Sequence, residues 1–234
     1  MLGNHNNIYY DNNKFVLRNI IFGVVGIDIF RPPGGLFLGL IKYKQDRIRP
    51  TFLEQTKFSS FQVDTLRNKL ILSSKSLIDK SNTNIIKIVD LRPLGCPVYQ
   101  YAALVKKLKF NDIDLVKFKG PIYGIFDTGS TGCLLSDAIK NDISVPSLIR
   151  KVSVTLETLN GEEITLEAKA TRDNIFVVSG KNINWFKNNN NTNIFTNVFI
   201  SDEYHKPQII VLGIEFFNNK IFTVDIDEGN MLLA

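Results

Sequence analysis

Residues 122–131 limit what this chain can fold into more than any other stretch. An apolar run, Ile122-Tyr123-Gly124-Ile125-Phe126, ends on the carboxylate of Asp127, and Thr128-Gly129-Ser130-Thr131 follows at once. The pattern predicts a buried strand that delivers Asp127 into a tight turn. Gly129 lets backbone N–H groups approach the carboxylate, and the hydroxyls of Thr128, Ser130 and Thr131 offer further donors. A carboxylate held by several donors is fixed in orientation, as an acid–base catalyst requires. The plainer reading of the same residues is a turn aspartate capping its own loop.

The rest of the chain reads as many short apolar runs broken by turns, with no helical period long enough to organise it, so an all-β fold is expected. Residues 1–13 are polar and Asn-rich and read as a disordered or partial start. Residues 15–29 are strongly apolar and read as a buried strand with a Gly turn, ended by Arg31-Pro32-Pro33-Gly34-Gly35. Residues 36–43 fit a short helix or a strand. Residues 58–63 and 69–72 alternate around Arg67-Asn68 as a hairpin, and 84–89 is another strand candidate. Residues 98–110 suit a long strand, although Ala102-Ala103-Leu104-Val105 also suits a helix. Residues 113–118 lead toward the Asp127 strand, and 134–140 read as one short helix. The clearest hairpin joins 152–156 to 164–168 through Asn160-Gly161. Strands are expected at 174–178, 209–217 and 221–226, with a surface loop at 187–193.

Composition removes several function classes. With 44% hydrophobic residues, 234 residues can bury a sizeable core, as one large domain or two small ones. The formal charge of +5 is spread among acidic residues, so a solvated surface is expected and no nucleic-acid partner. No phosphate-binding glycine loop or metal-ligand spacing is present, and His5 and His205 read as exposed loop residues, so neither a metal nor a cofactor is expected. The apolar stretches 20–30 and 36–41 are too short to cross a bilayer, and the first residues form no signal peptide. A soluble chain with no membrane partner is expected, its compartment unassigned. The two cysteines, Cys96 and Cys133, do not reveal by spacing whether they pair. Cys133 follows the Asp127 turn closely, but without a histidine in a partner pattern it reads as a small buried thiol. Trp185-Phe186 reads as a core or loop anchor, with a place in a substrate pocket as the alternative.

At this point the residues resemble a known family. Asp127-Thr128-Gly129-Ser130-Thr131 resembles the active-site motif of aspartic proteases, and Val211-Leu212-Gly213 resembles the hydrophobic-hydrophobic-Gly element that crosses beneath that motif in the same lobe. The ending, Phe217-Asn218-Asn219-Lys220-Ile221-Phe222-Thr223-Val224-Asp225, looks like the strand pair that closes the pepsin-type fold. The long spacing between Asp127 and Gly213 suits a pepsin-like carboxy-terminal lobe better than the shorter retroviral subunit. Gly23-Val24-Val25-Gly26-Ile27 resembles the equivalent element of the amino-terminal lobe, with Gly26 as its structural glycine. Together these cover the chain from about residue 20 onward. The implied organisation is a partial start at 1–13, a remnant of the amino-terminal lobe with interlobe strands at 14–95, and a catalytic lobe at 96–234.

The resemblance implies an aspartic-type endopeptidase in which two carboxylates share one proton and activate a water. Asp127 supplies one of them, Ser130 holds its outer oxygen, and Thr128 braces the two facing turns. The departure is that no second Asp-Thr/Ser-Gly triplet occurs in the sequence. The facing carboxylate would come from a separate lobe on another polypeptide or from upstream sequence, or from a second copy as in retroviral proteases. Without either, the chain would be a catalytically silent module that binds a peptide or a protein partner.

Overall fold

The computed structural model describes residues 2–10, 15–23, 38–42, 50–94, 96, 98–115, 120–136, 139, 149–169 and 207–234. It is all-β: among these residues, helical conformation is confined to Ile139 and to three 3-10 turns, at Leu53–Gln55, Arg92–Leu94 and Ile214–Phe217.

The strands run in chain order as β1 (Leu2–Tyr10), β2 (Phe15–Gly23), β3 (Ser60–Asp64), β4 (Lys69–Ser73), β5 (Ile85–Lys87), β6 (Ala102–Phe110), β7 (Ile113–Asp114), β8 (Ile122–Phe126), β9 (Cys133–Leu135), β10 (Lys151–Glu157), β11 (Glu163–Lys169), β12 (Gln208–Leu212), β13 (Ile221–Asp225) and β14 (Asn230–Leu233). The strands β1 and β2 form a two-stranded sheet. A seven-stranded sheet has the order β11-β10-β6-β8-β12-β9, with β7 paired to β6. It curls, so that β11 reaches the 3-10 turn that follows β12. A five-stranded sheet has the order β4-β3-β13-β14-β5.

One core lies between the two large sheets. On the five-stranded side, Phe61, Phe222, Val224, Met231 and Ile86 point inward, alternating with Gln62, Thr223 and Leu232, as the two-residue strand period requires. On the other side, Val152, Val154 and Leu156 of β10 are fully buried. Burying a side chain of this size stabilises by about 1.5–3 kcal/mol. The central pair β8 and β12 is the only parallel pairing among the described strands. Their second face carries Ile125, Ile209 and Val211, covered by Leu91 and Cys96. Burial on both faces is what parallel strands need, and it explains their unbroken apolar sequences.

Several expectations are corrected. Of the two readings of residues 1–13, disordered or a partial start, the disorder is corrected at residues 2–10, which form a strand paired to β2 from Leu2↔Gly23 to Tyr10↔Phe15. His5 therefore stands in a strand and not in a loop. Residues 102–105, open between helix and strand, are strand, because β8 and β10 both pair with β6 and leave no room for a helix. Leu134 and Leu135, expected in a helix, belong to β9 and pair with β12. Residues 38–42 are irregular, neither helix nor strand. The segment expected as a strand at 209–217 is strand only to Leu212, then turns through Gly213 into a 3-10 turn. Within the stretch 14–95, β3 pairs along its whole length with β13 near the chain end, Ser60↔Asp225 to Asp64↔Ile221. The expected Gly26 turn, the 174–178 strand, the 187–193 loop, Trp185-Phe186 and His205 lie outside the described residues.

Candidate functional site: the Asp127 turn and the Gly213 crossing

Residues 127–132 leave the end of β8 and return as β9, and β12 lies between those two strands, parallel to the first and antiparallel to the second. The Asp127 N–H continues the parallel ladder by donating to the Leu212 carbonyl at 2.9 Å. The turn is thus anchored to the core on one side while its tip stays open. Asp127, Thr128 and Ser130 are half-buried, and Gly129 and Thr131 are exposed.

The carboxylate is held at both oxygens. The Gly129 N–H donates to Oδ1 at 2.9 Å, and the Ser130 hydroxyl donates to Oδ2 at 2.6 Å. The shorter contact is in the range of charge-assisted O–H···O bonds. The sequence offered three hydroxyl donors, and only Ser130 acts as one. Neither the Thr128 nor the Thr131 hydroxyl bonds the carboxylate. The reason is geometric: the turn closes with the Ser130 N–H on the Asp127 carbonyl, which brings residue 130 back over residue 127.

Gly213 lies directly under this turn. Its N–H donates to the Gly132 carbonyl at 2.8 Å, the Ile214 N–H to the Ser130 carbonyl at 2.6 Å, and the Glu215 N–H to the Thr131 carbonyl at 3.2 Å. Three consecutive carbonyls of the turn are therefore satisfied from below, which fixes its height and tilt. A Cβ on residue 213 would stand 2.3 Å from the Gly132 carbonyl oxygen and 2.6 Å from that of Ser130, so only glycine fits.

An aromatic stack supports the same place. Phe126, the residue before Asp127, stacks on Phe222 with ring centroids 5.5 Å apart and planes within 10°. Phe217 packs against both, at 5.7 Å from Phe126 and 5.1 Å from Phe222. Such pairs each add about 0.5–1.5 kcal/mol beyond area burial. The stack joins the Asp127 strand, the 3-10 turn and β13.

Cys96 and Cys133 are both free and buried. Cys133 sits in β9 opposite Leu212, and full burial pushes its thiol far above the usual range, so it is a packing residue. Among the described residues, His, Cys, Asp and Glu form no group of three that would hold a metal ion. No described helix is long and apolar enough to cross a membrane. A groove of about 520 Å³, lined by residues that include Asp64, Thr65, Ile214 and Glu215, touches none of residues 127–131.

Asp127, Thr128, Gly129, Ser130, Thr131 and Gly213 are thus brought together, while Gly26 lies outside the described residues. Sequence reading missed the Ile214 and Glu215 amides and the Phe126–Phe217–Phe222 stack. The paired phenylalanines Phe216-Phe217, shortly after Gly213, are the one signal that pointed there. The chain matches no protein-family model and no curated protein.

Proposed function

We propose that this chain carries, over residues 96–234, the catalytic carboxy-terminal lobe of a pepsin-like aspartic endopeptidase, with the end of the first lobe before it, and that Asp127 is one of the enzyme's two working carboxylates. One observation carries the reading: Gly213 packs directly beneath the Asp127 turn and makes one unit with it. The two motifs are far apart in sequence, and a lone loop-capping aspartate would have no reason to sit on a glycine that no other residue can replace. The curled seven-stranded sheet and the β3–β13 pairing near the chain end also suit such a lobe.

The chemistry follows from the carboxylate's setting. Facing a second carboxylate, Asp127 cannot be ionised together with it, so the pair holds one proton. The pair takes a proton from a water as the water oxygen bonds to the peptide carbonyl carbon, and the C=O π pair moves onto the carbonyl oxygen until the intermediate collapses. The C–N bond then breaks as the shared proton passes to the leaving amine. The Gly129 N–H and Ser130 hydroxyl keep the Asp127 oxygens aimed throughout. Thr128 is half-buried with its hydroxyl unbonded among the described residues, so it is available to bridge to the facing turn. The substrate is an extended peptide bound through main-chain hydrogen bonds.

The facing carboxylate comes from another polypeptide, from upstream sequence, or from a second copy of this chain. The single Asp-Thr-Gly triplet favours one other reading, a silent module that binds peptide without cutting it. The test is binding of a peptide in which a secondary alcohol replaces the scissile carbonyl, measured calorimetrically. Binding that weakens at least tenfold in Asp127→Asn supports an Asp127-centred site, and equal binding by both chains contradicts it. Cleavage of the uninterrupted peptide by this chain establishes the enzyme over the silent module.

A further inference from the structure

We infer that Thr65, on the turn between β3 and β4, is a positioning residue for the Asp127 turn. The inference rests on the reading of Asp127 as a working carboxylate only for its functional meaning. Its physical content stands on hydrogen bonds and ring packing.

The Thr65 hydroxyl sits within bonding distance of two carbonyls, Phe217 at 2.8 Å and Lys220 at 2.9 Å, and it accepts from the Lys220 N–H at 3.1 Å. The Thr65 N–H also donates to the Lys220 carbonyl at 3.2 Å. One half-buried side chain therefore clasps the exit of the 3-10 turn Ile214–Phe217. That exit is a tight one, because Asn219 adopts a left-handed conformation with φ 58°. A turn that non-glycine residues enter at a cost needs an external tie to hold it.

Two routes run from the clasped residue to Asp127. Through the backbone, the same 3-10 turn carries the Ile214 and Glu215 N–H groups that hold the Ser130 and Thr131 carbonyls. Through the side chains, the Phe217 ring packs on Phe126, whose next residue is Asp127. A shift at the Phe217 carbonyl thus reaches the site from below and from behind at once. A groove is lined by residues of both elements, Thr65 among them with Ile214 and Glu215, so the Thr65 hydroxyl adds a side-chain tie beside the β3–β13 ladder, which ends at Asp64↔Ile221.

The test is residue-resolved amide hydrogen exchange on the 234-residue chain, comparing the native protein with Thr65→Val and Thr65→Ser. Valine keeps the shape and removes the hydroxyl, and serine restores it. A net hydrogen-bond contribution of this kind corresponds to roughly three- to tenfold in a local opening equilibrium. We expect exchange at Ile214, Glu215 and Gly129 to rise by about that factor in Thr65→Val, to return toward native in Thr65→Ser, and to stay unchanged at Val154 and Leu166. A uniform rise at all amides would make Thr65 an ordinary stability contact and overturn the inference. So would unchanged exchange at Gly129, or a failure of serine to restore it. No step requires catalysis, so a chain that proves silent toward peptides leaves this result readable. If peptide hydrolysis is present, Thr65→Val lowers kcat and leaves KM unchanged.

Discussion

Gly213 and Gly132 are in backbone contact: the Gly213 N–H donates to the Gly132 carbonyl at 2.8 Å, and a Cβ on residue 213 would lie 2.3 Å from that oxygen. The obstructing atom is backbone and cannot swing aside, so Gly213→Ala must push the Asp127 turn upward. The expected cost is about 1–3 kcal/mol, the range for overpacked sites, read as a lower urea midpoint at unchanged m-value. Exchange at the Gly129 amide should rise with it. A variant as stable as the native chain would mean that the turn does not rest on residue 213.

The Ser130 hydroxyl and the Thr131 hydroxyl are two positions' worth of the same chemistry with different work. Ser130 bonds the Asp127 carboxylate and Thr131 does not. Ser130→Ala should weaken binding of the secondary-alcohol peptide several-fold and cost about 1 kcal/mol of stability, the usual net value of one hydrogen bond. Thr131→Val should change neither. Equal effects of the two substitutions would remove the special role given to Ser130.

Stability should fall in acid, with a sign that can be worked out. The Lys151 ammonium bonds Asp112 and Glu167, each at 2.8 Å, and holds both carboxyls below their ordinary values of 3.8 and 4.5. Burial pushes the Asp64 carboxyl up, but hydrogen bonds from the Arg67 side chain and backbone more than offset it and leave it lowered. A carboxyl with a depressed folded pKa contributes stability that is present above its unfolded value and lost as pH falls through the folded one. Chemical unfolding followed downward from neutral pH should therefore show stability declining once pH drops below about 4.5, the upper of those ordinary values. Lys151→Met should flatten part of that decline. A decline as steep as in the native chain would show that these ion pairs do not couple to folding.

Cys96 and Cys133 are 4% and 1% exposed, and burial pushes both thiols up. A thiol reagent at neutral pH should label neither in the native chain and both after unfolding, because the thiolate is the reacting form. Rapid native labelling of Cys133 would show β9 detached from β12.

The sequence made the local elements legible and hid the ones that depend on distant partners. The β10–β11 hairpin was readable because its alternation and Asn160-Gly161 are both local. Five residues, 158–162, join the strands, the Thr158 N–H donates to the Glu162 carbonyl, and Gly161 has φ 80°, as a left-handed closing position requires. The β8 strand and its carboxylate turn were readable for the same reason. By contrast, Leu134 and Leu135 suit a helix by composition and become strand only because β12, far along the chain, pairs with them. Residues 2–10 have little strand propensity and pair through β2. At the site, Asp127, Ser130 and Gly213 were visible as motifs. The Thr65 clasp was not, since a threonine at a hairpin turn carries no mark of the carbonyls it will meet.

The central claim is that Asp127 works as a catalytic carboxylate, and peptide hydrolysis tests it most directly. The rate on an extended peptide would be followed from acid to neutral pH over a concentration series, for the native chain, for Asp127→Asn and for mixtures of the two. The account predicts hydrolysis that disappears in Asp127→Asn and, where two copies face each other, rises with the square of protein concentration. Hydrolysis undiminished by Asp127→Asn would contradict it, and silence of the native chain at every concentration would exclude the two-copy arrangement and leave a half-enzyme completed by a separate lobe or the peptide-binding module.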